Sequence, residues 1–166
     1  MPPTTDQFSV VREVAIAASP ETVWRFLVDP AKAVRWMGVA ASLDARPGGR
    51  YRVEVLPGDV VLGEFLEVDP PRRLVHTWGW ETSSGSVPPG STTVAFDLVP
   101  NGDGTLLRVT HAGLSRGAAE DRHARGWDHY LPRLAAVATG NDPGDDPWID
   151  RPDAGMGTSK EGDDRC

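Results

Sequence analysis

A match to a nucleophile motif in residues 113–117 is the most direct sign of catalysis in the sequence. These residues, GLSRG, fit the pattern G-x-S-x-G, which places a reactive serine on a sharp turn between a strand and a helix. That motif works on a parallel sheet with an acid and a histidine further along the chain, whereas only one predicted helix and a tail follow here. Asp121 and His129 are the available partners, and the pattern does not favour a serine hydrolase.

Histidines on separate elements offer a second possible chemistry, a zinc site. His76 and His111 lie at predicted inward strand positions, and His123 lies on the inward face of a predicted helix. Close-spaced ligand pairs such as H-x-H or H-E-x-x-H are absent from the sequence, so three separate elements would have to converge. We therefore predict that each histidine is hydrogen-bonded in the core, and that the protein holds no metal ion and no other cofactor.

Charged residues on predicted strands leave acid–base catalysis as a third possibility. Asp97 and Arg108 alternate with Phe96 and Val109, so we expect both charged side chains to face solvent. Glu64 follows a glycine, where a bulge would change the face that its side chain occupies. These residues do not form a convincing catalytic set, and we predict no catalytic residues.

The stretch LVHTWGW at residues 74–80 points instead to an aromatic interior. Strand alternation places His76, Trp78 and Trp80 on one face, together with the leucine that opens the stretch. We expect Trp78 to complete the core, whereas Trp80, near the end of the strand, is the better pocket candidate. The predicted ligand-binding residues, all at inward positions, are Tyr51, Val53, His76, Trp78, Trp80, Phe96, Val109, His111, Trp127 and Leu131.

An antiparallel sheet and one long helix are predicted to position these residues. A strand over residues 8–16 precedes two short helices, which open with the cap-and-proline pairs Ser19-Pro20 and Asp29-Pro30. Between residues 39 and 111, strand-like runs alternate with turn residues, which predicts an antiparallel meander. After Gly117, apolar residues recur at three- and four-residue intervals, which predicts a helix that covers the sheet.

Composition and charge limit the classes of function. The chain has 166 residues, 39% of them apolar, and a formal charge of −7, most of it in the acidic stretch 141–166. The remaining body is nearly neutral and has no basic stripe, which disfavours nucleic-acid binding. No apolar run approaches the roughly 20 residues that cross a bilayer, and no secretory signal opens the sequence, so we expect no membrane association and a cytoplasmic protein.

One folded domain is predicted, with a tail on either side. We expect residues 1–7 to be disordered, residues 8–138 to fold, and residues 139–166, rich in Gly, Pro and Asp, to form an acidic disordered tail. The only cysteine, Cys166, excludes an internal disulfide and a thiolate metal cluster.

Five stretches, in order along residues 10–138, carry a family resemblance: SPETVWRFLVDPAKAVRWM, GGRYRVEV, GEFLEVDPPRRLVHTWGW, GDGTLLRVTHAGL and GWDHYLPRLA. Together they resemble the START-like, Bet v 1-like (SRPBCC) superfamily and, within it, the homologues of the heat-shock-protein ATPase activator, the AHSA1-like family. The resemblance implies an α+β helix-grip fold. In that fold a curved antiparallel sheet wraps around a long C-terminal helix, with two short helices after the first strand and a hydrophobic cavity inside.

The resemblance also implies a range of functions. The leading expectation is binding of a small hydrophobic ligand, such as a lipid or polyketide, in a cavity between the sheet and the C-terminal helix, without catalysis. A polyketide cyclase or aromatase using the same cavity is the enzymatic alternative, with His76 or Tyr51 as the polar group. Further alternatives are a co-chaperone-like partner of a heat-shock ATPase, and an enediyne-type antibiotic sequestration and self-sacrifice protein.

Overall fold

The computed structural model of the protein describes residues 7–81 and 87–149. Predictions for residues 1–6, for residues 82–86 of the loop before β6, and for residues 150–166 with Cys166 lie outside this part of the chain.

Within the described residues, the strands form one antiparallel sheet of seven strands in the order β1-β7-β6-β5-β4-β3-β2. The first strand therefore pairs with the last, and the other neighbours follow one another along the chain, as the predicted meander requires. The strands are β1 (Gln7–Ile16), β2 (Ala40–Leu43), β3 (Arg50–Leu56), β4 (Asp59–Asp69), β5 (Arg73–Trp80), β6 (Thr92–Asn101) and β7 (Gly104–Ser115).

Two short helices follow β1, and a long one follows β7. They are α1 (Pro20–Val28), α2 (Pro30–Ala33) and α3 (Ala118–Ala138). The predicted start signals are confirmed, because the Ser19 hydroxyl accepts the N–H of Thr22 at 3.2 Å and the Asp29 carboxylate accepts the N–H of Ala31 at 3.0 Å. These bonds satisfy backbone donors that have no partner within a first helical turn.

The second helix is shorter than the sequence pattern AKAVRWM suggests. Its α-helical turn ends at Ala33, and residues 34–36 continue as hydrogen-bonded turns. Gly38 then directs the chain into β2 with a φ of 96°, a conformation that side chains disfavour. A Cβ at this position would lie 2.8 Å from the carbonyl oxygen of Glu54, so only glycine fits this close approach to β3.

The long helix packs against the concave face of the sheet. Its buried side chains include His123, Trp127, Tyr130, Leu131 and Leu134, at the spacing that the sequence predicts for one helix face. The inward residues of the strands are buried as well, and together they form one core. The fold is the predicted α+β helix grip.

Alternating charges cross the outer face of the sheet. Arg108 on β7 contacts Glu13 on β1 at 2.7 Å, and Arg73 on β5 contacts Asp97 on β6 at 2.6 Å and Glu67 on β4 at 3.1 Å. The expected outward orientation of Asp97 and Arg108 is confirmed, because their side chains are 33% and 56% exposed and both are ion-paired. These ion pairs lie on the solvent-facing side of the sheet, whereas the interior is filled by aromatic residues.

The chain continues beyond residue 138, where the sequence analysis places the tail, as a segment that packs on α3. A 3-10 turn over Pro147–Ile149 brings Trp148 against His129, with ring centroids 3.8 Å apart and planes within 7°. Asp146 is buried and accepts from Nε2 of His129 at 2.8 Å. Within the described residues, then, ordered packing extends to Ile149. No helix in this part of the chain is long and apolar enough to cross a membrane.

Candidate functional site

Buried aromatic rings fill the middle of the molecule. His76 stacks on Tyr51 with centroids 3.7 Å apart, and the edge of Trp78 meets Trp80 at 5.8 Å. Trp127 reaches across from α3 to within 5.6 Å of Trp78. Trp78 and Trp127 are completely inaccessible to solvent, so at this level the helix and the sheet are in direct contact.

Two of the buried histidines have all of their ring nitrogens occupied. His111 accepts the indole N–H of Trp127 at Nδ1 (3.1 Å), so its Nε2 carries the proton and donates to the hydroxyl of Thr92 (2.9 Å). His123 accepts the indole N–H of Trp80 at Nε2 (3.0 Å) and donates from Nδ1 to the carbonyl of Ala119 (2.7 Å). Each tautomer is therefore fixed by its partners, and both rings are neutral.

The third buried histidine, His76, has one occupied and one unoccupied nitrogen. Its Nδ1 lies 2.8 Å from the carbonyl oxygen of Thr77, which can only accept, so Nδ1 carries the proton. Its Nε2 is buried and has no hydrogen-bond partner among the described residues. The indole Nε1 of Trp78, two residues further along β5 and on the same face, is also buried and has no hydrogen-bond partner among the described residues. Buried polar atoms without partners are rare and commonly mark a place for water or a ligand.

Burial keeps all three histidines uncharged at neutral pH. It lowers the pKa of His76 to about 4 although the hydrogen bond to the Thr77 carbonyl acts in the opposite direction, and it lowers the pKa of His123 to about 4. Burial, followed by the neighbouring histidines, holds the pKa of His111 well below its usual value. Because its Nδ1 is protonated and its ring is neutral, His76 presents a lone pair at Nε2.

A small cavity of about 10 Å³ lies beside His76. Its walls come from the sheet and from the region of α1 and α2, not from α3. The lining residues are mostly apolar: Leu27, Ala33, Trp36, Met37, Leu43, Tyr51, Val53, His76 and Phe96. A volume of this size has room for about one water molecule.

Comparison with known proteins identifies the family. Residues 17–139 match the family model described as activator of Hsp90 ATPase homolog 1-like protein. The chain belongs to this AHSA1-like family. No curated protein sequence matches it.

Solved structures support the same assignment. The solution structure of the AHSA1-like protein RHE_CH02687 from Rhizobium etli is 46% identical, with 86% of this chain and 88% of that chain covered and a TM-score of 0.68. The crystal structure of CalU16 from Micromonospora echinospora is 28% identical, with 80% and 76% covered and a TM-score of 0.66. The Aha1 dimer from Colwellia psychrerythraea, at 18% identity, 79% and 96% coverage and a TM-score of 0.68, shares the fold alone.

The AHSA1-like interior brings together only part of the predicted ligand-binding set. Of those residues, the ones that line the cavity are Tyr51, Val53, His76 and Phe96. The others are buried in the close-packed region near α3 or within the histidine network, namely Trp78, Trp80, Val109, His111, Trp127 and Leu131. Trp80 donates to His123 and does not line this cavity.

Sequence reasoning missed the part of the AHSA1-like cavity that comes from the short helices. Leu27, Trp36 and Met37 cover it, and all three are buried. Their spacing in the helical pattern marks them as inward residues, but that pattern does not reveal which inward residues border empty space.

The other catalytic patterns find no support in the AHSA1-like chain. Ser115 is exposed at the end of β7, whereas Nε2 of His129 is hydrogen-bonded to Asp146 and its ring is stacked on Trp148. Among residues 7–81 and 87–149, no three histidine, cysteine or acidic side chains are arranged to hold a metal ion. Both nitrogens of His111, a predicted zinc candidate, are already used in hydrogen bonds.

Proposed function

We propose that this protein binds a small apolar molecule carrying one hydrogen-bond donor in its aromatic interior, and releases it unchanged. The observation that carries the proposal is the unpaired, buried Nε2 of His76, a residue that lines a mostly apolar cavity. A neutral imidazole with a protonated Nδ1 can only accept at Nε2, so the matching ligand group is a hydroxyl or an N–H. The surrounding walls match an apolar or aromatic ligand body.

Binding requires the cavity to enlarge, because about 10 Å³ accommodates little more than one water. The wall that can give way most readily is the α2 region. This helix has only four residues, and the chain after it contributes Trp36 and Met37 to the cavity. The sheet side of the cavity is formed by β2, β3, β5 and β6, and of these only β2 is an edge strand. We therefore expect a ligand to displace α2 and leave the sheet in place.

Calorimetric titration with two matched probes tests the proposal. 1-Naphthol carries a hydroxyl donor, whereas 1-methoxynaphthalene has the same rings and no donor. At pH 7.5 the protein should bind 1-naphthol about five to ten times more tightly, which is the effect of one hydrogen bond. In His76→Phe the preference should fall to about one, and in Arg125→Gln, at an exposed position of α3 outside the cavity, it should persist. The proposal would be contradicted if the protein bound neither probe, or if His76→Phe preferred 1-naphthol as strongly as the wild type does.

Catalysis in the same cavity has less support. A cyclase or aromatase needs a group that exchanges protons near neutral pH. Burial lowers the pKa of His76 to about 4 and raises the pKa of Tyr51 above its usual value, which moves both groups away from that range. Binding without chemistry is the simpler use of these side chains.

The family description favours a second candidate, association with a heat-shock ATPase. This activity would use the outside of the molecule and would not depend on His76. Stimulation of ATP hydrolysis by the Hsp90 of the same cell, unchanged in His76→Phe, would support this candidate and separate it from ligand binding. Absence of both stimulation and association in a pull-down would remove it.

A further inference from the structure

We infer that residues 143–149 form a strap that holds the cavity closed and thereby controls ligand access. This inference rests on the proposed ligand binding, because it assigns a regulator to the same cavity. The strap is the described chain that follows α3 and folds back over it. The wall in question is the pair Trp36 and Met37, here called the partition.

The partition separates two spaces. On one side, Trp36 and Met37 line the cavity that contains His76. On the other side they line a cleft of about 210 Å³ whose far wall is part of the strap, including Gly144, Asp145, Asp146 and Ile149. The partition is therefore one layer of side chains thick, with the candidate ligand site on one side and the strap on the other. Movement of the strap removes the far wall of the cleft and opens that side of the layer to solvent.

One guanidinium group joins the partition to the strap. Arg133 on α3 donates from Nε to the carbonyl of Trp36 at 3.3 Å. Its other nitrogens donate to strap carbonyls, at 3.5 Å to Pro143 and at 2.9 Å to Gly144. The planar, always charged guanidinium presents several donors in fixed directions, so a single side chain holds both segments to α3.

The far end of the strap is fastened independently. Trp148 stacks on His129 of α3 at 3.8 Å and meets the ring of Tyr130 edge-on at 5.7 Å. Asp146 accepts from His129 at 2.8 Å and from the backbone N–H of Trp148 at 2.9 Å. The strap is thus attached at both ends, by Arg133 at its start and by an aromatic contact at its finish. Ile149, at the end of the strap, packs against the core.

These contacts are strong enough to hold the strap and few enough to release it. They consist of a handful of hydrogen bonds, the two ring contacts of Trp148 and the partly buried packing of Trp148 and Ile149 on the core, and the strap is not part of the sheet. Segments with so few buried contacts open at lower free energy than the global unfolding of the protein. Opening of the strap therefore precedes unfolding and frees the partition while the sheet and α3 remain intact.

Hydrogen exchange, measured without any ligand, tests the strap directly. Arg133→Gln removes the link to the partition, and Trp148→Ala removes the far attachment. Both should speed amide exchange over residues 33–38 about tenfold. Arg125→Gln, an exposed position on the same helix, makes the same change of charge and should leave exchange as in the wild type. Wild-type exchange rates over residues 33–38 in both strap variants would overturn the inference.

Stopped-flow mixing with 1-naphthol then tests control of access. In both strap variants the association rate should rise about tenfold, and in Arg125→Gln it should stay unchanged. If amide exchange is faster in the strap variants but their association rates are unchanged, the inference that the strap controls ligand access is wrong. If the wild-type protein does not bind 1-naphthol at all, the proposed function fails, and the exchange measurement still decides whether the strap holds the partition. A measurement of the free energy of unfolding for each variant shows that it is folded under the assay conditions.

Discussion

Mild acid should destabilise this protein steeply before its carboxylates are neutralised, because three histidines are buried without charge. His76, His111 and His123 are completely inaccessible to solvent. Burial lowers the pKa of His76 and of His123 to about 4 and holds that of His111 well below its usual value. In the unfolded chain each histidine titrates near 6.5, so between pH 4 and 6.5 the unfolded state binds more protons than the native state.

The sign and size of the effect follow from this difference in bound protons. The stabilisation is fully present above about pH 6.5 and is lost as the pH falls toward 4. Each excess proton contributes about 1.4 kcal/mol per pH unit, so three nearly complete protonations give a slope of roughly 4 kcal/mol per pH unit around pH 5.5. Summed from pH 7.5 to pH 5, the three groups remove about 6 kcal/mol, which is a large part of the roughly 5–15 kcal/mol by which a domain is typically stable.

Urea unfolding followed by far-ultraviolet circular dichroism at pH 7.5, 6.5, 6.0, 5.5 and 5.0 measures that slope. His76→Phe keeps a ring beside Tyr51 and removes one titrating group, so its slope between pH 5 and 6 should be about one third smaller. Phe96→Leu changes the same core without removing a titrating group, so it is the control and should keep the wild-type slope. A wild-type slope below about 1.4 kcal/mol per pH unit would mean fewer than one excess proton, and would refute the assignment of buried neutral histidines.

Three further predictions concern the interior and the outer face. Thr92→Val should lower the free energy of unfolding by about 2 kcal/mol because His111 loses its acceptor, and Thr92→Ser should recover at least half of that loss. Trp127→Phe should cost about 2–4 kcal/mol in urea unfolding, through a new void and an unpaired His111 nitrogen, and the half-buried Trp24→Phe should cost clearly less. Arg73→Gln should cost less than about 1 kcal/mol in thermal unfolding at low salt, and the cost should disappear in about 1 M NaCl, because its ion pairs are partly exposed. An equal loss of unfolding free energy in Thr92→Val and Thr92→Ser would contradict the first prediction. An equal loss in the two tryptophan variants would contradict the second, and a loss in Arg73→Gln that does not change with salt would contradict the third.

The elements could be predicted from the sequence because their signals are local. Ser19-Pro20 and Asp29-Pro30 open the two short helices as predicted, since a cap and a proline act within one turn. Alternation in β5 placed His76, Trp78 and Trp80 on the inner face, where the structure has them buried. Each of these signals lies within a few residues of the feature that it specifies.

The position of empty space could not be predicted in this way. The family resemblance implies a cavity between the sheet and the C-terminal helix, but Trp78 and Trp127 meet there, and the small cavity described above lies next to Trp36 and Met37. Periodicity tells which face a side chain occupies, whereas a cavity depends on how the volumes of side chains from several elements sum.

The strap shows a second limit of local reasoning. Its composition, rich in Gly, Pro and Asp, predicts a disordered tail, and yet Trp148 packs on His129. One aromatic residue is enough to anchor a short segment when a partner ring lies at the correct distance. That partner is set by the tertiary structure and leaves no mark on the sequence around residue 148.

The pairing of β1 with β7 also bears on how the chain folds as it leaves the ribosome. The paired residues Val10 and His111 are 101 positions apart, so the first strand waits for most of the domain to be synthesised. Strand β5 ends at Trp80 and α3 ends at Ala138, 58 positions later, an interval of about 3–12 seconds at about 5–20 residues per second. During that interval the tryptophan-rich face of β5 has no complete α3 to cover it. A nascent chain with such a topology is exposed to aggregation, and it gains more than most from chaperones that shelter apolar segments during translation.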